Sequence, residues 1–127
     1  MTAVDVIIEG CEAKNGGGIY VHNHGKIILI DTEIKGCTAE ADGGGVYVGR
    51  EAVFRMKGSA IVPPTLSNAK GDNDVYLDDY GNSKAAIIVT GALTTSSTIA
   101  ARLTMKDIGT DPGINSGYYK RVVVEGG

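Results

Sequence analysis

The chain has 127 residues, which suits one domain and is short for two. Its formal net charge is −3 without a basic run, so a nucleic-acid-binding surface is not expected, and no apolar stretch approaches the ~20 residues of a membrane span. Glycine is abundant, with 19 residues, and valine and isoleucine outnumber leucine five to one, a bias typical of β-strands. The composition therefore predicts a glycine-rich, all-β domain.

An internal repeat organises most of the chain. Gly-Gly-Gly-Ile-Tyr-Val at residues 16–21 returns as Gly-Gly-Gly-Val-Tyr-Val at 43–48, a spacing of 27. Ile-Glu-Gly-Cys at 8–11 returns as Ile-Lys-Gly-Cys at 34–37, and a degenerate copy of the first motif, Asp-Asn-Asp-Val-Tyr-Leu, occupies 72–77. Such self-similarity at a nearly fixed period indicates a repeat protein.

Each period contains three short apolar stretches, which are too short for helices and suit strands of about 3 to 5 residues. Three strands in about 27 residues describe one coil of a parallel β-helix, with coils stacked ~4.8 Å apart. We predict about four short coils over residues 1–94 and a C-terminal capping segment of the same domain over 95–127, with strands near 98–105 and 121–125. A meander of β-hairpins is the alternative, although it does not require equivalent residues to recur at a fixed period.

Stacked coils place equivalent residues on the same side of the chain. Alternation directs Ile19 and Val21 inward and Tyr20 outward, and the later copies keep this pattern. Ile8, Ile34 and Ile61 are expected to stack inward as well. The triple glycines suit corners that need a positive φ, and the Asp-Asn-Asp of the third copy contains the next most tolerant residue types.

Tyr20, Tyr47 and Tyr76 are the candidate binding residues. As outward residues of equivalent strands, they are expected to form a row of rings along one face of the solenoid. Aromatic rings are good contacts for sugar rings, so the row is a hypothetical carbohydrate site. The alternative is a cross-strand stack that only stabilises the sheet, by about 0.2 to 1 kcal/mol per pair.

Cys11 and Cys37 occupy equivalent positions in neighbouring coils, so their Cα atoms are expected about 5 Å apart, within the range of a disulfide. Two free thiols packed in a turn are the alternative. Two ligands are too few for a metal site, and His22 and His24, with Glu51 in the next coil, are expected to form a solvated corner. The sequence therefore predicts no metal site at these residues and no cofactor.

The densest group of carboxylates is Asp72, Asp74, Asp78 and Asp79. Oxygen ligands of this kind suit calcium, but Asp and Asn are also routine at turns, so both interpretations stay open. The same carboxylates, with Asp31 and Glu33, are the candidate acid and base of a glycosidase or lyase. Because they do not recur at stacked positions, no catalytic residue is predicted.

The glycine–tyrosine motif, followed by an apolar strand and then Ile-x-Gly-Cys, resembles the repeats of bacterial adhesin-like surface proteins, which are related in style to polymorphic outer membrane proteins and pectate-lyase-like β-helices. The resemblance covers roughly residues 4–94. It implies a right-handed parallel β-helix and a non-catalytic structural or adhesive role in a cell-surface or secreted protein. A carbohydrate-binding module using the outward tyrosines is the alternative function, and a polysaccharide-cleaving enzyme is a third.

The N-terminal end of the solenoid has no evident cap, and Met1 falls partway through a repeat, so we expect a fragment of a longer protein. An uncapped end exposes unpaired backbone and apolar core, which predicts self-association there. Glycans or a host surface are the expected partners, while nucleic acid and membrane insertion are not expected. No signal peptide opens the chain, and the extracellular or cell-surface location is implied by the resemblance alone.

Overall fold

The computed structural model describes residues 1–65, 71–80, 83–90, 92–94, 99–105 and 122–125, and every regular element within these ranges is a β-strand. The first coil contains β1 (Thr2–Val4), β2 (Ile7–Glu9), β3 (Glu12–Asn15) and β4 (Ile19–Val21). The second coil contains β5 (Lys26–Ile30), β6 (Glu33–Lys35), β7 (Thr38–Asp42) and β8 (Val46–Val48). The later strands are β9 (Val53–Lys57), β10 (Val75–Leu77), β11 (Asp79–Tyr80), β12 (Ser83–Lys84), β13 (Ala86–Thr90), β14 (Leu103–Met105) and β15 (Val122–Glu125).

Equivalent strands of successive coils pair in parallel, as the repeat predicts. One sheet, the long sheet, has the order β1-β5-β9-β13-β15, and another, the tyrosine sheet, has the order β4-β8-β10-β14. The pairs β2-β6 and β3-β7 form the remaining walls of the first two coils, while β11 and β12 make an antiparallel pair. The chain is therefore an all-β parallel solenoid of about three turns, close to the predicted number of coils.

The register of the strand pairs confirms the alignment of the repeats. Opposing residues run Ile19, Val46, Val75 and Leu103 across the tyrosine sheet, and Ile27, Phe54 and Ile87 across the long sheet. Because each coil pairs only with the coils on either side of it, a repeat in the sequence becomes a repeat in space.

Aliphatic side chains fill the space enclosed by the coils. Leu29, Val46 and Val48 are fully buried at inward positions of the second coil, whereas Tyr47, between the two valines, points outward and is half-buried. Phe54, the single phenylalanine, is fully buried in the third coil. Full burial of one such side chain contributes roughly 1.5–3 kcal/mol, so these repeated inward positions hold the coils together.

The strand pairing at Ile61, a residue expected to face inward, is shifted by one residue from the register that the repeat predicts. Glu33 pairs with Ile61, so the inward equivalent of Ile34 is Val62, which is fully buried, while Ile61 is partly exposed. The expectation that Ile61 stacks on Ile34 is wrong. The preceding turn is one residue longer in the third coil, with Gly58-Ser59-Ala60 where the second coil has Asp31-Thr32. Because side chains alternate along a strand, a shift of one residue reverses which of them face the core.

Polar side chains in the turns and at one strand end bind the backbone of the next coil. Asn15 and Asn23 each accept a hydrogen bond through Oδ1 from the backbone amide 27 residues later, at 3.2 and 3.0 Å. Asp31 Oδ1 accepts one from the Ser59 amide, 28 residues later, at 2.9 Å. Asn15 is the last residue of β3, whereas the other two acceptors lie in turns, and all three contacts join successive coils.

The triple-glycine corner is a place of close approach between coils. Gly43 has a φ of 68°, and a Cβ on Gly44 would overlap the carbonyl oxygen of Gly71 in the third coil. In the third copy, where Asp-Asn-Asp replaces the glycines, Asn73 has a φ of 45° while its two neighbours keep negative values. The third corner thus keeps a positive φ on an asparagine, as the tolerance of this residue type predicts, but the position differs: Asn73 is the equivalent of Gly44, which has no positive φ, and Asp72 is the equivalent of Gly43.

Residues 95–127, predicted to cap the solenoid, lie mostly outside the described residues. Among the described parts, β14 pairs in parallel with β10 and β15 pairs in parallel with β13. Leu103 lies opposite Val75, 28 residues earlier, so the strand pairing continues beyond residue 94. The strands expected near 98–105 and 121–125 are present as β14 and β15, whereas the capping role and the right-handed sense of the coils stay predictions.

Candidate functional site

The outward tyrosines of the tyrosine sheet form a regular stack. Tyr20, Tyr47 and Tyr76, here called the tyrosine stack, lie in register on β4, β8 and β10. The ring centroids of Tyr20 and Tyr47 are 4.8 Å apart with planes 7° from parallel, and those of Tyr47 and Tyr76 are 5.2 Å apart with planes at 25°. The structure therefore brings together the three rings that the repeat predicts.

The exposure of these rings differs sharply along the stack. Tyr20 is 51 % exposed, whereas Tyr76 is only 5 % exposed. Both faces of the Tyr47 ring lie against a neighbouring ring, so that ring offers its edge to solvent. A sugar ring stacks on an open aromatic face, and of the three rings Tyr20 is the one with such a face. The arrangement thus suits one ring contact better than a platform of three.

Tyr20 is one of the residues that line an open cavity of about 190 Å³, most of whose other lining residues are apolar. Met1, His22 and Lys26 also line it. The His22 ring centroid lies 6.4 Å from the Tyr20 ring centroid, with the planes tilted by 56°. A phenol ring, an imidazole and an ammonium group around one space combine apolar contact with hydrogen-bonding capacity, which is the usual chemistry of a small-ligand site.

A nearly buried carboxylate holds the hydroxyl group of Tyr47. Asp78, which is 7 % exposed, accepts a hydrogen bond from this hydroxyl, and Arg50 Nε lies 3.4 Å from Asp78 Oδ2. Burial, followed by the negative charge of Asp78, raises the pKa of Tyr47, so the hydroxyl keeps its proton and remains a donor at neutral pH. Arg50 and Asp78 follow the equivalent strands β8 and β10, so the opposite charges at this corner are the signal in the sequence for their contact.

The predicted acidic cluster is divided in the structure. Asp74 is fully buried and its Oδ1 accepts a hydrogen bond from the Gly44 amide at 2.8 Å, while Asp78 binds Tyr47. Asp72 is partly exposed, and the side chain of Asp79 lies outside the described part. Among the described residues, no group of three His, Cys, Asp or Glu side chains is placed to hold a metal ion. Asp74 and Asp78 therefore both act in contacts between coils, at the Gly44 amide and at the Tyr47 hydroxyl.

Two other candidate carboxylates share one groove. Asp31 and Glu33, together with Asp5, line an open groove of about 550 Å³. Asp31 Oδ1 accepts hydrogen bonds from the Ser59 amide and hydroxyl at 2.9 and 3.2 Å, and Glu33 Oε2 lies 3.8 Å from Lys35 Nζ. Asp31 and Glu33, two of the carboxylates named as candidate acid and base, therefore line the same groove, and each is already in contact with a neighbouring group.

The histidine corner is exposed to solvent. His24 Nδ1 lies 3.0 Å from Glu51 Oε2, and His22 is exposed beside it. His24 and Glu51 have positive φ values of 62° and 55°, which marks equivalent turns in the first and second coils. The arrangement agrees with the solvated corner expected from the sequence.

Asn73 makes contacts that the sequence analysis did not foresee. Its fully buried side chain accepts a hydrogen bond from the Cys37 amide at 3.1 Å and donates to the carbonyl oxygens of Ile34 at 2.9 Å and Pro63 at 2.7 Å. It therefore joins the third coil to the second and also connects two parts of the third coil, because Pro63 directly follows Val62 in that coil. The one signal in the sequence was an asparagine at a corner that holds glycine in the earlier copies.

Cys11 and Cys37 are free thiols in the positions expected for them. Residues on both sides of the two cysteines pair at the same spacing of 26, so the cysteines are in register on neighbouring coils. Cys37 is fully buried, whereas Cys11 is partly exposed.

Comparisons of the chain with models of protein families, with curated proteins and with solved structures find no match. None of the described residues belongs to a helix long and apolar enough to cross a membrane.

Proposed function

We propose that this solenoid is a non-catalytic structural segment that serves as a stalk in an adhesive bacterial surface or secreted protein. One observation carries the proposal: outward side chains contact their equivalents in the next coil. Tyr20 stacks on Tyr47 and Tyr47 on Tyr76, and Lys35 Nζ lies 3.9 Å from Glu9 Oε1. Side chains that connect coils in this way oppose bending and separation of the stack, which is what a stalk requires.

The Tyr47–Asp78–Arg50 network strengthens this argument. Asp78 belongs to the third coil, whereas Tyr47 and Arg50 belong to the second, so the hydrogen bond and the ion pair both cross between coils. Hydrogen bonds to a charged group that is largely removed from water contribute about 1.5–3 kcal/mol, more than neutral ones. Such contacts add resistance to separation beyond that of the backbone ladder.

The bacterial origin and the export of the parent protein are part of the same proposal. They are supported by the resemblance of the repeat motifs to those of adhesin-like surface proteins, within residues 4–94. A stalk of this kind carries other parts of a protein away from a surface, and its partners are then glycans or a host surface reached by the assembled molecule.

A second candidate function is carbohydrate binding at the outer face of Tyr20. The observation in its favour is the open cavity that Tyr20 shares with His22 and Lys26. A third candidate is polysaccharide cleavage in the groove, because Asp31 and Glu33 both line it. These candidates place the active surface at different residues, so variants can separate them.

The test combines glycan binding with stability. The labelled chain is applied to a broad array of polysaccharides and host glycans beside the variants Tyr20→Ala, Tyr47→Ala and Glu33→Gln. For a stalk, we expect no glycan signal that depends on these residues. We also expect Tyr47→Ala to lower the free energy of unfolding by roughly 1–3 kcal/mol through two lost ring contacts and the lost hydrogen bond.

Three results would overturn the stalk proposal. Specific binding that disappears in Tyr20→Ala at unchanged stability would assign a recognition module, with Tyr47→Phe as the control that keeps the stack. Binding lost in Glu33→Gln would place the ligand in the groove. Release of reducing or unsaturated sugar ends that stops in Glu33→Gln would identify an enzyme.

A further inference from the structure

The two cysteines lie at a junction between the first and second coils. The Gly10 amide donates to the Lys35 carbonyl oxygen at 3.1 Å, and the Thr38 amide donates to the Cys11 carbonyl oxygen at 2.9 Å. These bonds bracket the pair, so Cys11 and Cys37 face each other on adjacent parallel chains, which are spaced ~4.8 Å apart. That separation falls within the ~4.4–6.8 Å between Cα atoms that a disulfide accepts.

The two side chains also have the same orientation. Cys11 Sγ donates to the carbonyl oxygen of Glu9 at 3.6 Å, and Cys37 Sγ donates to that of Lys35 at 3.4 Å, in each case two residues earlier. Because the two Cβ atoms point the same way from chains ~4.8 Å apart, closure requires rotation about χ1 and a small approach of the two turns, which brings the Cβ atoms within the ~3.5–4.5 Å of a disulfide.

We propose that Cys11 and Cys37 form a reversible disulfide that fastens the first coil to the second when the protein meets an oxidising thiol–disulfide pool. This inference goes beyond the proposed stalk function and does not depend on it. The disulfide replaces two weak thiol–carbonyl contacts with a covalent bond across the coil junction.

The reaction proceeds by thiol–disulfide exchange, with glutathione disulfide as the oxidant. The Cys11 thiolate attacks one sulfur of glutathione disulfide, forming a mixed disulfide and releasing the first glutathione thiolate. The Cys37 thiol then loses its proton and attacks Cys11 Sγ, which releases the second glutathione. Two protein thiols are oxidised, one glutathione disulfide is reduced, and the two thiol protons pass to the released glutathiones.

The order of these steps follows from burial. Cys11 is partly exposed, whereas Cys37 is fully buried, and burial raises the pKa of the Cys37 thiol. Cys11 is therefore the thiol that an external disulfide reaches first, and Cys37 acts within the protein once the mixed disulfide has formed.

The expected consequence is local. The first coil carries exposed apolar side chains, with Ile7 at 63 % exposure, and in the part of the chain that the structure describes it pairs only with the second coil. Closing the loop between Cys11 and Cys37 restricts the states in which this coil is detached. Amide exchange that requires such detachment is expected to slow on the order of a hundredfold.

The test uses the full chain equilibrated with defined ratios of reduced to oxidised glutathione. The intact mass of the chain is expected to fall by the mass of two hydrogen atoms, and peptide mapping is expected to find the peptides that contain Cys11 and Cys37 linked by a disulfide. Amide exchange is expected to slow at Gly10 and Thr38 and to stay unchanged at Ala86, which bonds to Ala52 in another part of the solenoid.

Single variants provide matched controls. Cys37→Ser is expected to accumulate glutathione on Cys11, because the resolving thiol is missing, while Cys11→Ser is expected to remain largely unmodified. The inference is overturned if the wild-type chain retains both thiols at every ratio, if it stops at the mixed disulfide, or if it forms only intermolecular disulfides. It is also overturned if the disulfide forms but leaves exchange at Thr38 unchanged.

Discussion

Replacing Asn73 with alanine is expected to weaken the junction between the second and third coils. The variant removes the acceptor of the Cys37 amide and the donors to the Ile34 and Pro63 carbonyl oxygens, at a side chain that is fully buried. The smaller side chain leaves a buried space, and the polar groups around it lose partners that water does not readily replace.

The magnitude follows from two contributions. A buried donor left without a partner costs about 1–3 kcal/mol, and the two carbonyl oxygens add to this. Alanine must also keep the φ of 45° found at this position, a left-handed conformation that costs a Cβ-bearing residue roughly 1–2 kcal/mol and that asparagine tolerates better. We therefore expect Asn73→Ala to lower the free energy of unfolding by about 3 kcal/mol.

Urea unfolding followed by far-ultraviolet circular dichroism and tyrosine fluorescence measures this change, since the chain has six tyrosines and no tryptophan. The urea concentration at the midpoint of unfolding is expected to fall, while the slope of the unfolding free energy against urea concentration stays nearly constant. Asn15→Ala is the matched control, because it removes one hydrogen bond of 3.2 Å at the partly exposed end of β3. The control is expected to lose about 0.5–1.5 kcal/mol.

Equal losses for Asn73→Ala and Asn15→Ala would refute the reasoning, because burial and the number of hydrogen bonds would then not determine the cost. A second variant, Asn73→Gly, separates the two contributions. Glycine removes the same hydrogen bonds but adopts the positive φ freely, so it is expected to recover roughly 1 kcal/mol relative to alanine.

Three further predictions concern the core, the tyrosine stack and the first coil. Leu29→Ala, at a fully buried position, is expected to lower the free energy of unfolding by about 2–5 kcal/mol. Ile28→Ala, at the neighbouring outward position, is expected to lower it by clearly less. Equal losses in urea titrations would contradict the assignment of Leu29 as inward and Ile28 as outward. In the folded state the pKa of Tyr47 is raised above its ordinary value of 10.0. The stability that the protonated hydroxyl contributes is therefore complete below pH 10.0 and is lost as the pH rises above 10.0 towards the raised pKa of the folded state. Unfolding measured from about pH 9 to 11 is expected to show a shallower fall in stability for Tyr47→Phe than for the wild type, and identical slopes would argue against this assignment. The 127-residue chain is expected to self-associate at high concentration through its first coil, where Ile7 is 63 % exposed. Sedimentation velocity should show weaker association for Ile7→Asp than for the wild type. A wild-type chain that stays monomeric at every concentration would contradict this prediction.

Much of the fold was predictable from the repeat alone. In a parallel solenoid each strand pairs with its own equivalent in the next coil, so a recurring motif specifies both the partner and the register of a strand. Ile27, Phe54 and Ile87 lie opposite one another for this reason, and Tyr20 stacks on Tyr47 for the same reason. The alternation of apolar and polar residues then determined which side chains form the core.

The tertiary structure decided the features that depend on turn length and on contacts between coils. One extra residue before Ile61 places Val62 in the core, and no pattern within that strand reveals the shift. The burial of Tyr76 and the pairing of Asp78 with Tyr47 likewise depend on how the coils pack and on side-chain directions. The sequence by itself determined the period, and hence the stack of strands, because the repeat carries that information in every copy. The buried hydrogen bonds of Asn73 and the network around Asp78 occur once each, so only the packed coils could show them.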